Sequence, residues 1–297
     1  KSVGVRDSKK STRALSVAEL AKIYKSYQRK DVSLRTFAKA AGIQYWQLRD
    51  YFKREVASKA RTKETRTLKA HIKRLALKHP TYGYRRIHRE VMKKDGTVGV
   101  HKVRKTLAEL DLTVQVTRKP RRNLPEPTPA AKLPEGRRIQ MDATQVIYGQ
   151  EKAWFYLVKD IPSRTCLSIR PVKHLCQFAA ATTLREAERL LRKQGITDPL
   201  VIQTDGGSDF TSDHFQTTCQ KLGSWHRSSI KQTGGMAFLE RLNKTFKYDF
   251  YFRQECDTFE QLQPLSKIFK RWYNHDRIHS AIGYATPWQK LTESVRL

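Results

Sequence analysis

The 297-residue sequence is poor in cysteine and in acidic residues, and it has no long apolar run. No stretch approaches the roughly 20 apolar residues of a membrane span, so we expect no membrane association. No signal peptide is visible, which favours a cytoplasmic protein. The four cysteines form no CxxC pair, and we predict buried free thiols instead of a zinc site. They are Cys166, Cys176, Cys219 and Cys256.

The shortage of acid leaves a large positive charge. The chain has 28 Asp+Glu against 59 Lys+Arg, a formal charge of +31 and a pI near 10.2. Nucleic acid is the first candidate partner, because neutralising its phosphates releases counterions. Residues 1–136 hold 35 basic and 12 acidic residues, whereas residues 137–297 hold 24 and 16. The first part is therefore typical of a DNA-binding arm, and the second retains enough acid for carboxylate chemistry.

Residues 15–56 show three helical patterns separated by short turns. Ser33 can cap the second helix, Ala38 is small where two helices approach, and Gly42 supplies the turn. This spacing predicts a helix-turn-helix with a recognition helix over about Gln44 to Arg54. A three-helix unit without a DNA role is the alternative. The side chains predicted to reach DNA are Gln44, Tyr45, Gln47 and Arg49.

A second helical unit and a linker follow. Residues 65–112 have three more helical patterns, and YGYRRI is an aromatic and basic cluster of the kind that contacts phosphates. One of its two tyrosines is equally well explained as a core residue. We predict DNA-binding domains over 1–60 and 61–116 and a basic, proline-rich linker over 117–137. The DNA contacts predicted here are Tyr84, Arg85, Arg86, Arg118, Arg121 and Arg122.

After the linker the pattern changes to alternating strands and helices. Three strands, a helix, a strand, a helix, a strand and a helix predict an α/β domain over 138–256. A further helix and tail occupy 257–297. In the last core helix, Leu239, Leu242 and Phe246 form a stripe typical of packing on a core. Another face of that helix holds Glu240, Asn243, Lys244 and Lys247.

Three acidic residues stand at informative places in the α/β domain. Asp142 lies in the first strand, Asp205 ends the fourth strand before two glycines that let the backbone turn, and Glu240 lies on the last core helix. Carboxylates that meet would repel each other unless cations lie between them. Mg²⁺ and Mn²⁺ take oxygen ligands, and two such ions can support phosphodiester chemistry. The pattern therefore predicts a catalytic metal site.

Each of these acids also has a plainer interpretation. Asp205 can be a turn former and Glu240 a surface residue paired with a lysine. Asp142 is harder to explain in this way, because a buried charge needs a partner or a metal. Asp160, Asp209 and Asp213 compete for a metal role, and we interpret the last two as structural or capping residues.

Several motifs in a fixed order carry a family resemblance: YGYRRI, MDAT, WFYLVKDIPSR, TDGGSDF, LERLNKTFK and YNHDRIHSAIGYATP. Over about residues 66–290 the sequence resembles bacterial insertion-sequence transposases with a retroviral-integrase-type core, in the IS-three or the related IS-481 group. The resemblance implies a ribonuclease-H-like core with a mixed five-stranded sheet. It also implies that Asp142, Asp205 and Glu240 are the catalytic triad and hold two Mg²⁺ ions, for which Mn²⁺ can substitute.

Charge, carboxylate placement and resemblance together predict an enzyme, a DNA transposase and polynucleotidyl transferase. It would bind terminal inverted repeats in double-stranded DNA, cut one strand and transfer the freed 3′-hydroxyl to target DNA. The resemblance implies a homo-oligomer that joins two DNA ends near the bacterial nucleoid. Further predicted DNA contacts are Lys244, Lys247 and Arg277, although Arg277 can equally brace the core.

Two other functions fit parts of the pattern. A structure-selective nuclease of the same fold would cut DNA without joining strands. A catalytically silent DNA-binding regulator would use the basic arm alone, although the three acids argue against it.

Overall fold

The computed structural model describes most of the chain, namely residues 16, 18–19, 22–23, 25, 33–40, 42–114, 134–228 and 235–294. The linker arginines predicted to contact DNA lie outside the described residues; they are Arg118, Arg121 and Arg122. No helix in the described part is long and apolar enough to cross a membrane. The chain divides into two compact units, residues 1–80 with 90–113 and residues 81–89 with 114–297.

The first unit is helical. Among the described residues it contains α1 (Leu34–Ala40), α2 (Tyr45–Lys78) and α4 (Val100–Glu109), and the second half of α3 (Tyr84–Asp95) belongs to it. Residues 18–19, 22–23 and 25 are also helical.

The predicted turn between the two helices of the helix-turn-helix is confirmed. The Ser33 hydroxyl accepts a hydrogen bond from the Thr36 N–H at 3.1 Å, as a cap does. Gly42 has a φ of +68°, a left-handed conformation that glycine adopts at little cost. Ala38 and Leu48 are buried on either side of this turn. The local sequence therefore specifies this turn.

Helix α2 is 34 residues long and runs through the predicted domain boundary between residues 60 and 61. Residues 56–67 in its middle are all exposed, whereas Leu48 near its start and Leu68, Ile72 and Ala76 near its end are buried. The exposed stretch contains no proline or glycine, and six of its twelve residues are Ala, Lys or Arg, which favour helix. The helix therefore continues where the loss of apolar spacing suggested a break.

The second unit is built on five strands: β1 (Arg137–Tyr148), β2 (Glu151–Asp160), β3 (Cys166–Val172), β4 (Leu200–Thr204) and β5 (Gly223–Arg227). Their order in the sheet is β3-β2-β1-β4-β5. Strand β2 is antiparallel to its neighbours, and β1, β4 and β5 are parallel. This mixed sheet confirms the predicted ribonuclease-H-like α/β core.

Helices cover both faces of the sheet: α5 (Gln177–Lys193), α6 (Asp213–Leu222), α7 (Ala237–Lys244), α8 (Phe259–Arg271) and α9 (Pro287–Glu293). Two π-helical segments, Thr245–Phe250 and Trp272–Asp276, continue α7 and α8 directly, and short 3-10 turns span Tyr251–Arg253 and Ser280–Ile282.

The two faces of β1 meet different helices, because successive side chains alternate across a strand. Ile139 and Met141 belong to the apolar cluster that contains residues of α5 and α6. Val146 belongs to the cluster formed with α7 and α8. The predicted stripe of Leu239, Leu242 and Phe246 is fully buried in this second cluster. Asp142, four residues before Val146 on β1, lies on the same α7 face of the sheet.

The cysteine prediction is partly wrong. All four thiols are free, but Cys176 is exposed and Cys256 is half-buried, whereas Cys166 and Cys219 are buried. Burial raises the pKa of Cys166 and of Cys219 to about 12, so both stay protonated thiols. Cys176 is the N-cap residue of α5 and lies at the surface.

A buried ion pair joins the start of β1 to the end of β2. Asp160 is fully buried and accepts two hydrogen bonds from Arg137, at 2.8 and 2.9 Å. It also accepts the Ser163 N–H at 2.9 Å. These contacts give Asp160 a structural role, so it is not available as a metal ligand.

We expect Asp160→Ala to lower the free energy of unfolding by about 3–5 kcal/mol, because Arg137 would be left buried without its partner. Urea denaturation measures the change. The matched control is Glu188→Ala, which removes the partner of the exposed Arg192 and should cost less than about 1 kcal/mol. Equal losses in the two variants would contradict a structural role for the buried pair.

Candidate active site

The structure brings two of the three predicted catalytic residues together. The parallel pairing of β1 and β4 aligns Gln140 with Gln203. Two residues further along each chain, Asp142 and Asp205 therefore come level with each other, because parallel neighbours advance together. Asp142 is half-buried within β1, and Asp205 follows the last residue of β4.

The electrostatics of Asp142 reflect this neighbour. Burial, and after it the negative charge of Asp205, raises the pKa of its carboxyl group to about 6. Two hydrogen bonds oppose the shift: the Ala143 N–H donates at 2.8 Å and the Asn243 amide at 2.9 Å. Burial and repulsion together outweigh these bonds, so the pair favours a positive ion beside it.

The two glycines after Asp205 provide space and are not needed for an unusual backbone turn. Neither Gly206 nor Gly207 has a positive φ. A Cβ atom on Gly207 would lie 2.7 Å from an Asp209 carboxylate oxygen and 3.3 Å from Asp205 Oδ1. A Cβ on Gly206 would lie 2.4 Å from the Arg227 guanidinium. The glycines therefore let side chains approach the backbone closely, which corrects the turn-based interpretation.

Helix α7 faces this pair with its polar side. Asn243 donates to Asp142 Oδ2, and Lys247, one turn later, is close enough for Asp142 to affect its pKa, which burial lowers overall. The buried Asn243 Oδ1 has no hydrogen-bond partner among the described residues. The sequence analysis placed Asn243 on the same helix face as Glu240 but did not name it as a site residue. Its position three residues after Glu240 was the signal that could have identified it.

Glu240 is exposed in the first turn of α7. Within the described residues, no three carboxylate, imidazole or thiol groups are grouped so that they could hold a metal ion. The structure therefore brings Asp142 and Asp205 together and leaves Glu240 outside that group, on the helix that covers them.

Local structure accounts for Asp209 and Asp213, the other two acids considered for a metal role. Asp209 is buried and accepts a hydrogen bond from the Tyr156 hydroxyl at 2.6 Å. Asp213 is exposed in the first turn of α6, where the side chain of Ser212 provides the cap. The negative charge of Asp209 also raises the pKa of Asp142, but less than burial and Asp205 do.

The residues predicted to contact DNA fall in both units. In the first unit Gln44, Tyr45 and Arg49 are exposed and Gln47 is half-buried. In the second unit Arg85 and Lys244 are exposed, whereas Tyr84, Arg86 and Lys247 are half-buried.

Arg277 differs from the other predicted DNA contacts, because its side chain is only 6% exposed. It donates to Asp249 Oδ2 at 2.8 Å. Tyr82, the other tyrosine of YGYRRI, is buried and bonds the tail: its hydroxyl donates to the Asp276 carbonyl and accepts the Ile278 N–H. Tyr82 is therefore the core tyrosine of the pair.

Protein-family models match most of the chain from residue 63 onwards. An HTH-like domain model matches residues 63–121, and two models of the integrase core domain match residues 134–233 and 224–287.

Two curated relatives are insertion-element proteins. The transposase for insertion sequence element IS904 of Lactococcus lactis subsp. lactis (strain IL1403) is 32% identical over 30% of this chain and 36% of its own length. The uncharacterized 39.2 kDa protein of insertion element IS476 of Xanthomonas euvesicatoria is 25% identical over 77% of this chain and 65% of its own length. The chain thus aligns with less than two thirds of either relative.

Among solved structures, the HTLV-2 integrase catalytic core domain in complex with magnesium is similar at 20% identity and a TM-score of 0.40. That match covers 51% of this chain and 93% of the other. A simian T-cell lymphotropic virus intasome in complex with PP2A regulatory subunit B56 gamma is similar at 18% identity and a TM-score of 0.45, over 73% of this chain and 74% of the other.

The matches define a class, proteins in which an integrase core domain follows an HTH-like domain. The two integrase core models together span residues 134–287, about half of the chain, so the chain belongs to the proteins that carry an integrase core domain.

A buried lysine beside the site supplies a pH-dependent prediction. Lys159 is 3% exposed, and burial, and after it the positive charge of Arg164, lowers its pKa to about 7. Its ordinary value is 10.5. Between these two values the unfolded chain binds more protons than the folded protein, so the free energy of unfolding rises with pH.

We therefore expect the stability of wild type relative to Lys159→Met to increase as the pH rises from about 7 to about 10. Urea denaturation of both proteins across this range measures the difference, in which all other titrating groups cancel. A stability difference that stays constant with pH would show that Lys159 keeps its charge in the folded protein.

Proposed function

We propose that this protein is a DNA transposase that cleaves a phosphodiester at the ends of an insertion sequence and transfers the freed 3′-hydroxyl to target DNA. The observation that carries the proposal is the pairing of Asp142 with Asp205 beneath the helix that bears Glu240. The integrase core domain and the similarity to insertion-element proteins support the reaction class.

The donor set suits a hard divalent cation. Asp142 and Asp205 repel each other, and the orphaned Asn243 Oδ1 adds a buried oxygen acceptor beside them. Mg²⁺, with Mn²⁺ as a substitute, would be held by Asp142 and Asp205, with Glu240 as the third ligand from α7. When bound, two such ions would activate the attacking oxygen and stabilise the leaving oxygen.

The protein's own residues hold this donor set in place. The Asn243 amide and the Ala143 N–H each occupy one oxygen of Asp142, which fixes the plane of its carboxylate. The Gly207 N–H donates to Asp205 Oδ1 at 3.0 Å and orients the second carboxylate. Lys247 places a positive charge next to Asp142, where a DNA phosphate could bind. Water or a DNA hydroxyl serves as nucleophile, so the chain contributes positioning and charge.

DNA recognition is assigned to the basic surfaces. Gln44, Tyr45, Gln47 and Arg49 start helix α2 and are proposed to read base edges, because the beginning of a recognition helix enters the major groove. Backbone contacts are proposed for Tyr84, Arg85, Arg86, Arg118, Arg121, Arg122, Lys244 and Lys247. Arg277 is left out of this set, because its side chain is buried and bound to Asp249. A homo-oligomer in the bacterial cytoplasm would hold both DNA ends together, since transposition must act on two ends.

The proposal is tested with Asp142→Asn, Asp205→Asn and Glu240→Gln on labelled DNA that carries the repeats flanking the gene, in Mg²⁺. Each variant should lose at least about 100-fold in cleavage rate, because a ligand change exceeds the effect of an outer-shell change. DNA affinity, measured by fluorescence anisotropy, should stay unchanged. Asp213→Asn is the matched control, since Asp213 is an exposed acid of the same domain, and it should cleave like wild type.

The products separate the rival functions. Joined strands from wild type alone support the transposase, and nicks without joining indicate the nuclease. A wild type that binds DNA and never cuts it indicates the regulator. Full activity of Glu240→Gln would show that Glu240 is a surface acid and would contradict the proposed triad.

A further inference from the structure

A row of three buried polar side chains crosses the sheet on the α7 face. Gln140 of β1 lies directly opposite Lys159 of β2 and is aligned with Gln203 of β4. All three are at most 5% exposed. Gln140 Nε2 also donates to Gln203 Oε1 at 3.2 Å. This row lies one pleat before Asp142, on the same face of β1.

Two members of the row bind the first turn of α7. Gln140 Nε2 donates to the Gly235 carbonyl at 2.7 Å, and Gln140 Oε1 accepts the Leu239 N–H at 3.0 Å. Lys159 Nζ donates to the Phe238 carbonyl at 2.8 Å. The backbone on both sides of the helix start is thus tied to two adjacent strands.

This turn depends on outside partners, because a helix begins with N–H groups that have no acceptor within the helix. The N-cap residue of α7 is Met236, and its side chain makes no capping hydrogen bond. The Leu239 N–H donates both to the Met236 carbonyl and to Gln140 Oε1, each at 3.0 Å, so Gln140 adds an acceptor from the sheet. The Arg164 guanidinium lies 4.0 Å from the centre of the Phe238 ring and adds a cation–π contact to the same turn.

Burial of the Lys159 side chain costs free energy. Its nearest charged neighbours, Arg164, Arg241 and Arg277, are all positive, and Asp160 on the same strand is already bound by Arg137. A buried charge without a counter-charge costs stability, and an apolar residue would avoid that cost. What Lys159 contributes instead is the hydrogen bond to α7.

Glu240 is the residue immediately after this tied turn. Its backbone N–H donates to the Met236 carbonyl at 2.9 Å. Within the described part of the chain its carboxylate has no hydrogen bond or ion pair. The location of that carboxylate is therefore set by the backbone of the turn and not by contacts of its own.

We propose that Gln140 and Lys159 are positioning residues for Glu240, which act by holding the first turn of α7 on the sheet beside Asp142. The inference rests on the proposed function, because it assigns a purpose to the placement of the third carboxylate. Neither residue touches substrate in this role.

The test compares Gln140→Leu and Lys159→Met with the conservative variants Gln140→Glu and Lys159→Arg, which keep an acceptor or a donor at the same place. Ser168→Ala is the matched control. The Ser168 hydroxyl makes a similar buried bond from the sheet, to the Thr183 carbonyl of α5 at 2.8 Å. Cleavage of saturating repeat DNA in Mg²⁺, DNA affinity, and hydrogen exchange of amides 236–244 are measured for each protein.

We expect Gln140→Leu and Lys159→Met to cleave about 10–100-fold more slowly, with DNA affinity unchanged within about twofold. Amide exchange should accelerate in residues 236–244 and stay at the wild-type rate in α5. Lys159→Arg and Gln140→Glu should recover part of the rate. Ser168→Ala should leave both the cleavage rate and the exchange of α7 unchanged.

Other results would overturn the inference. One such result is cleavage at the wild-type rate by both Gln140→Leu and Lys159→Met. Slow cleavage without faster amide exchange in α7 is another. Faster exchange spread over the whole second unit is a third. If a variant does not fold, its conservative counterpart provides the same comparison. If Glu240→Gln loses activity while Gln140→Leu and Lys159→Met keep full activity, the positioning role is wrong and the proposed triad stands. If Glu240→Gln keeps full activity, the proposed triad is wrong as well.

Discussion

The repulsion between Asp142 and Asp205 is the constraint on which the candidate site depends. Two half-buried carboxylates, one within a strand and one just after the end of its parallel neighbour, destabilise the folded protein until positive charge or hydrogen-bond donors offset them. Asn243, Lys247 and the Gly207 N–H provide part of this compensation. The remaining repulsion is what makes the site suited to divalent cations.

Helix α7 links the core to this site. Its apolar side, Leu239 and Leu242, is fully buried against the sheet, and its polar side carries Asn243 to Asp142. A displacement of the helix would therefore disturb both packing and the carboxylates. The π-helical segment that follows keeps Phe246 buried while Lys247 stays near Asp142. One helix thus couples the stability of the fold to the geometry of the site.

Much of the second unit was predictable from local pattern. The five strands and the helices between them were recognised because alternation and turn residues are local signals. Helix α2 was divided in the prediction, since an exposed stretch has no apolar period although its residues favour helix. The purpose of Gly206 and Gly207 was misread, because close approach by Arg227 and Asp209 comes from segments distant in sequence. The same limit applies to Cys176, whose exposure depends on what covers it.

The sequence by itself determined the class of protein, the strand and helix pattern, and the three acids that the pattern singles out. It did so because side-chain periodicity, turn chemistry and motif order are written in neighbouring residues. Only the tertiary structure decided that Asp142 and Asp205 meet, that Asp160 is committed to Arg137, and that Glu240 stays exposed on α7. It also decided that Gln140 and Lys159 face each other and hold that helix. Strand order, register and helix docking bring together residues far apart in sequence, and no local pattern encodes those distances.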